Sequence, residues 1–430
     1  MSKKIIICIT VLFFSGFMYA KGAFVEVGDP SFFSKGMRLF ELKSDSKGNV
    51  FAGYVQDGNY SVAKFDGEKW SDVGKRNFTA EIGSVFYTDQ ETNYISFELD
   101  NEGIPYVALS SVKKLDNSFL YLIVMKYDYS DNSWKVIGKT GIADFETNWV
   151  SLSFSKENIP YLAFSGCSAD VCKDYSETAD EEYEYTPSSV MKFNGSEWVY
   201  VGEPMFDFNP EQPHYSGSNS ISFGSDNTIY LAYNAWYPQS HDVFVTLKKY
   251  NGSSWESVSS KIEIKEWPVK VITGDGNTIY VAAANGIVRM ENGEWVKIFE
   301  YAQSKETSVN VMCAELDSHN TLYASFFEQN QGETINQTIK LKKFIDGSWE
   351  DVFSKEKSAY DYFATSLVID NENNPYIAYF NNDGRIVLMK YDPETGENPD
   401  DTDDDVSDED ETADEDKKDS GSSGCGLVVM

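Results

Sequence analysis

Histidine and arginine are nearly missing from this chain. Only His214, His241 and His319, and only Arg38, Arg76, Arg289 and Arg385, occur in 430 residues. A metal-dependent centre draws on several imidazoles or carboxylates at set spacing. A pocket for an anionic sugar acid draws on clustered arginines, and Arg76, Arg289 and Arg385 fall at unmatched places in their repeats. Positive charge is scarce in general, with 36 Lys and Arg against 69 Asp and Glu for a net charge of -33. A surface of that sign repels phosphate backbones and anionic headgroups, which excludes nucleic acid as a partner. The expectation from these absences is a protein that is not an enzyme and that carries no catalytic residue, metal or cofactor beyond loosely held calcium. Paired carboxylates of the kind that cleave glycosides stay compatible with the composition, but acidic residues are too plentiful for one pair to stand out.

Cysteine is sparse too, at five. Cys167 and Cys172, with four residues between them in the longest acidic loop and no other metal-site ligand set beside them, are read as a disulfide of an oxidising compartment. Cys313 falls within an apolar strand pattern and is read as an inert buried thiol.

The two ends are set apart by composition. Lys3 and Lys4 precede an apolar stretch from Ile5 to Phe17 and then Met18-Tyr19-Ala20, so residues 1–20 read as a signal peptide and the protein as exported to the periplasm, outer surface or medium. The stretch is shorter than the roughly 20 residues that span a bilayer, so no transmembrane helix is expected in the mature chain. Residues 393–424 have no apolar periodicity and read as a disordered acidic linker. Residues 425–430 form a short stub. The run Ser420-Gly421-Ser422-Ser423-Gly424-Cys425-Gly426 resembles the Ser/Gly-rich, cysteine-containing C-terminal sorting signals of some Gram-negative bacteria, which implies processing or lipid attachment at Cys425. The alternative is a solvated tail with one thiol.

What the chain has in quantity is aromatic residues, at 15%, and they repeat. Phe51, Tyr106, Tyr161, Tyr230, Tyr280, Tyr323 and Tyr376 define a column that recurs every 43 to 69 residues. Nine positions before it stand Leu42, Phe97, Leu152, Ile221, Val271, Ala314 and Leu367, all apolar. Three before it stand Gly48, Gly103, Asn158, Asn227, Asn277, Asn320 and Asn373, the residue types that best accept a positive φ. Two after it stand Gly53, Ala108, Ala163, Ala232, Ala282, Ser325 and Ala378, all small. These columns describe a hairpin. A second hairpin follows, as in Lys192-Phe193-Asn194-Gly195 with Trp198, where Asn-Gly suits a two-residue type I′ turn. Four strands per unit is the arithmetic of a propeller blade.

The seventh unit ends at Lys390-Tyr391 without its Trp strand, whereas Phe24-Val25-Glu26-Val27-Gly28 reads like Trp198-Val199-Tyr200-Val201-Gly202. The fold expected over residues 21–392 is therefore all-β, a seven-bladed β-propeller of four-stranded antiparallel blades, closed by strand 24–28 completing the last blade. The small column suits a second strand lying toward the axis, and the Trp column suits the outer strand. With turns ending in Gly48-Asn49-Val50-Phe51 or Asn277-Thr278-Ile279-Tyr280, the pattern resembles bacterial secreted β-propeller repeat proteins, loosely of the kelch and NHL kind.

Turns within hairpins are short while links between hairpins and between blades are long, which makes the long-loop face the candidate binding face. Its aromatic residues Trp149, Tyr215, Trp236, Tyr237, Trp267, Tyr360 and Tyr362 are candidate platforms for a glycan or an envelope protein. The function expected is a monomeric cell-envelope binding module. A polysaccharide hydrolase or lyase with an axial active site and an envelope scaffold are the alternatives. Convergent carboxylates around a sugar-sized axial cavity would favour the enzyme, and a shallow aromatic surface would favour binding.

Overall fold

The computed structural model describes residues 22–395 except 38–39, 83–94, 111, 114–118, 121, 169–185, 210–213, 239, 265–267, 301–306, 331–336 and 358–364. The described strands form seven four-stranded antiparallel sheets and one extra two-stranded hairpin. No α-helix occurs among the described residues, and no helix there is long and apolar enough to cross a membrane. We number the blades 1 to 7 and the strands of each a to d in chain order. Strand a is Phe40–Ser44, Ile95–Leu99, Thr147–Phe154, Tyr215–Phe223, Val269–Thr273, Thr307–Leu316 and Thr365–Ile369 in turn. Strand a of each blade touches strand a of the next, right round from blade 7 to blade 1. The first strand therefore lines the axis, not the second, which corrects the expectation drawn from the small column. That column lies one strand farther out and is fully buried between blades at Ala108, Ala163, Ala232, Ser325 and Ala378.

Closure runs as the repeat requires. Ala23–Val27 pairs antiparallel with Ile386–Asp392, placing Phe24 opposite Tyr391 and Val25 opposite Lys390. It forms strand d of blade 7. Phe24 packs against Phe353 of blade 6 at 5.0 Å and Tyr391 at 5.6 Å. The core consists of apolar clusters that join neighbouring blades, such as Phe51 and Tyr60 with Phe97, Val107 and Met125. Burying one such side chain contributes roughly 1.5–3 kcal/mol, so each cluster holds two blades together as one body.

Three polar devices fix the blades to one another. At the turn from strand a to strand b the Gly/Asn column has φ between 60° and 78°. Asparagine does more there than accept the angle: Asn158 Oδ1 accepts Asn101 N–H of blade 2, Asn320 accepts Asp275 N–H and Asn373 accepts Ser318 N–H, each at 2.8 Å. On the outer strand the indole N–H of Trp134, Trp198, Trp255 and Trp349 donates to Val73, Ile137, Val201 and Ile298 of the preceding blade. The Gly after the accepting residue has positive φ at Gly74, Gly138 and Gly202, and a Cβ at Gly138 or Gly202 would meet that indole within 3.1 Å. The closing strand carries the same feature at Gly28, against Trp70.

The third device serves the inner edge. Strand a has no further strand to pair with, so a central N–H of each points to the axis. In blades 1 to 5 a side chain from the preceding blade accepts it: Ser366 from Leu42 at 2.9 Å, Glu41 from Phe97 at 3.2 Å, Ser96 from Leu152 at 3.0 Å, Ser151 from Ile221 at 3.2 Å and Ser220 from Val271 at 3.0 Å.

Two turn expectations change. Asn194-Gly195 is not type I′, because only Gly195 has positive φ while Asn194 Oδ1 accepts the N–H groups of Ser196 and Glu197. One extra residue before Trp198 explains it, since Asn292-Gly293 and Asp346-Gly347 lack that residue and have both φ positive. The links from strand b to strand c are also not uniformly long, being two residues, 57–58 and 284–285, in blades 1 and 5.

Candidate functional site: the axial channel

Residues alternate along strand a, so those flanking the apolar column share a side that borders the axis. In blades 3 and 4 the flanking residues are serines. Four other blades bring charge to these positions: Glu41 and Lys43 in blade 1, Glu98 in blade 2, Lys270 in blade 5 and Glu315 in blade 6. All five line one axial cavity of about 590 Å³, together with Ser151, Ser220 and Cys313. That volume is within the range of small-molecule sites, roughly 300–1,000 Å³.

The charges form two groups on opposite arcs of the ring. Lys43 Nζ lies 2.9 Å from Glu98 Oε2 and 3.2 Å from Glu41 Oε1, bridging blades 1 and 2. Lys270 pairs with Glu315, bridging blades 5 and 6. Lysine at position 270 cannot accept an N–H as the serines do, so its ammonium turns to the carboxylate of the next blade. Burial pushes the Glu98 carboxyl above its usual range, against the opposing pull of Lys43. Burial alone would lower Lys43, but Glu98, Glu41 and Glu315 hold it well above its ordinary value. Lys270 is likewise raised, with burial opposing and Glu315 raising it. Burial pushes the Cys313 thiol up, keeping it protonated and unreactive. The Glu98 side chain keeps 24% of its exposure, so channel contents reach it. Chemically this is a carboxylic acid able to give a proton, carboxylates able to take one, and ammonium groups able to balance developing negative charge.

None of these five residues was singled out from the sequence. Their signal was the two positions flanking the apolar column of each repeat, visible once strand a is known to line the axis. The aromatic candidates lie elsewhere. Tyr215 and Trp236 pair across strands a and b of blade 4 with ring centroids 5.0 Å apart. Tyr237 is 5.3 Å from His214. Trp149 occupies a bulge in strand a of blade 3 at φ 52°, and its carbonyl accepts Asn219 Nδ2 at 2.9 Å. Trp267, Tyr360 and Tyr362 lie outside the described residues, as do Cys172, Cys425, the leader and the acidic tail after residue 395. The pairing of Cys167 with Cys172 thus stays an expectation.

Beneath the blade 4 aromatics lies a buried polar network. Asp207 accepts Ser188 N–H at 2.7 Å and Ser216 Oγ at 2.7 Å, and sits 3.3 Å from His214 Nε2. Among the described residues no cluster of three His, Cys, Asp or Glu could hold a metal ion.

No protein-family model matches this chain, and no curated protein does. The kelch and NHL resemblance therefore gains no support, while the propeller fold it implied stands. Solved structures do match. An ulvan lyase of a new polysaccharide-lyase family aligns over 86% of this chain and 94% of its own, with a TM-score of 0.52 and 10% identity. The extracellular domain assigned to a one-component system of B. thetaiotaomicron aligns over 86% of this chain and 40% of its own, at TM-score 0.47 and 10% identity. An α-L-arabinanase of Penicillium chrysogenum covers 87% of this chain and 98% of its own at TM-score 0.44 and 10% identity. At such identities the likeness is one of fold.

It overturns the expectation that the chain is not an enzyme. That expectation rested on too few histidines and arginines, and a polysaccharide lyase shares this fold. In this chain glutamate and lysine, the plentiful types, are the ones that converge.

Proposed function

We propose that this chain is an exported glycan-active enzyme that cleaves polysaccharide, as a hydrolase or lyase, in the axial channel. One observation carries the reading: Glu41, Glu98 and Glu315 converge with Lys43 and Lys270 on a single sugar-sized cavity. The ulvan lyase of similar fold supports it by likeness alone.

In this reading Glu98 is the general acid, because burial keeps its proton to higher pH and lets it protonate the departing glycosidic oxygen. Glu315 is the base. In hydrolysis it takes a proton from water as the water oxygen bonds the anomeric carbon. In elimination it takes the proton beside a uronate carboxylate, the electron pair forms a C=C bond and the glycosidic oxygen leaves. Lys43 and Lys270 balance the charge on the reacting atoms. The blade 4 pair Tyr215 and Trp236, with Tyr237 and Trp149, supplies stacking surface for further sugars at the long-loop side.

The test incubates the purified full chain with neutral and uronate-containing polysaccharides. New reducing ends without ultraviolet absorbance report hydrolysis, and an absorbing unsaturated uronyl end reports elimination. Glu98→Gln and Glu315→Gln are expected to slow either product by roughly 10² or more. Product formation unchanged in both variants, or none from any polysaccharide, would remove the reading.

A further inference from the structure

A second cavity, of about 450 Å³, lies between blades 3 and 4 on the opposite face from the long loops. Tyr161, Tyr200 and Tyr250 line it together with Lys192, Asp226 and Asn227. Nothing in the axial chemistry uses it.

The repeat shows what is particular about this groove. Tyr200 stands two residues after the Trp of strand d, where the other blades carry Asp72, Val136, Ser257, Lys297, Asp351 and, two after Phe24 on the closing strand, Glu26. Only blade 3 has an aromatic ring there, and Tyr200 is 38% exposed, one of few large apolar side chains so open. Lys192 belongs to a column of cations facing the aromatic column across strands b and c. Its counterparts are all engaged. Lys64, Lys126 and Lys390 sit over Phe51, Tyr106 and Tyr376, and Lys249, Arg289 and Lys343 pair with Glu256, Glu291 and Glu350. Among the described residues Lys192 alone in the column has no such ring or carboxylate contact, and it lines the groove with the tyrosines.

We propose that this groove is a binding site for a neutral sugar unit of a glycan, separate from the axial channel. Flat tyrosine faces offer apolar area to the C–H face of a pyranose at small entropic cost. Lys192 donates, and the Asp226 carboxylate, which takes Thr228 N–H at 3.0 Å and Asn277 Nδ2 at 3.3 Å, keeps further lone pairs to accept, which suits hydroxyl groups that both donate and accept. The lining decides between sugar classes, because its one cation, Lys192, is offset by its one carboxylate, Asp226, so the groove offers no net positive charge to a uronate. The site holds the chain of sugars to the outer rim whether or not the axial channel cleaves it.

The experiment titrates the full chain with neutral hexaoses of the cello, xylo, manno and arabino series and with hexagalacturonate, following binding by calorimetry at low and high salt. Glu98→Gln serves as the parent, so that cleavage does not consume the ligand. At least one neutral hexaose is expected to bind without salt dependence. Tyr200→Ala should weaken it by roughly tenfold or more, Tyr200→Phe should restore most of that, and Lys192→Met should weaken it several-fold. Tyr200 sits on an exposed outer strand, so the alanine variant keeps the fold, which its urea midpoint checks. Three results overturn the proposal: neutral binding unchanged in both Tyr200→Ala and Lys192→Met, binding confined to hexagalacturonate and lost with salt, or no binding of any neutral hexaose. Failure of the axial reading shows instead as absent cleavage by the unsubstituted chain with this binding intact.

Discussion

Replacing Gly28 by alanine tests ring closure at a single atom. Gly28 follows the closing strand at φ +74°, and a Cβ there would lie 2.6 Å from Trp70 Nε1 and 2.8 Å from Trp70 Cδ1 of blade 1. Two costs add. An L-residue in the left-handed region costs about 1–2 kcal/mol, and forcing the indole from a packed seam costs about 1–3 kcal/mol more. Gly36 separates them, because its φ is +80° and nothing lies within 4 Å of an added Cβ. Gly36→Ala should therefore lose only the backbone part, and Gly28→Ala about 2–5 kcal/mol in total. Urea unfolding followed by tryptophan fluorescence reads both as shifts in midpoint. Trp70→Phe in the Gly28→Ala background removes the clashing Nε1 and should recover part of the difference as a coupling between the two sites. Equal midpoint shifts for the two alanine variants would refute the reasoning, since the closing strand would then not be locked against blade 1.

Three further outcomes follow from contacts elsewhere. Trp198→Phe removes the indole bond to Ile137 O, whereas Trp295 Nε1 is buried without a partner, so Trp295→Phe should cost about 1 kcal/mol less on urea unfolding. Asp207→Ala leaves the Ser188 N–H unsatisfied and strips Ser216 and His214 of their shared carboxylate, and should lower stability by about 3 kcal/mol; a loss under about 1 kcal/mol would show that water replaces the carboxylate. For the proposed cleavage, Glu98 must be protonated, and burial raises its pKa, so activity should persist above the ordinary carboxylate range and fall as pH rises through the raised value. Glu98→Gln should remove that alkaline limb and lower the rate by roughly 10² or more, and an unchanged pH profile would assign the acid elsewhere.

How much of this molecule was legible in its residues depends on the range over which each feature is decided. Blade number and closure were open to reading because each blade is a local unit: strand alternation, a Gly or Asn at one turn and a Trp on the last strand recur whatever the blade packs against. The missing seventh Trp strand and its stand-in at residues 24–28 needed only that register. The c-to-d turns were half legible, since one residue of loop length separates two positive φ angles from one.

The axial site was decided by tertiary structure. Glu41 and Glu315 belong to repeats far apart in the chain, and nothing local says whether the first or second strand of a hairpin faces the axis. Ring closure settles that, because only strand a of each blade touches its counterparts all round. Once the charged flanks of strand a share a channel, burial and mutual charge move their protons, an effect that no one repeat contains. The groove of Tyr200 and Lys192 is of the same kind. Its residues lie on two blades, and Lys192 is recognised only by seeing where the other six cations of its column have gone. Repetition along the chain therefore determined the scaffold, and departures from repetition, brought together by the ring, decided where its chemistry sits.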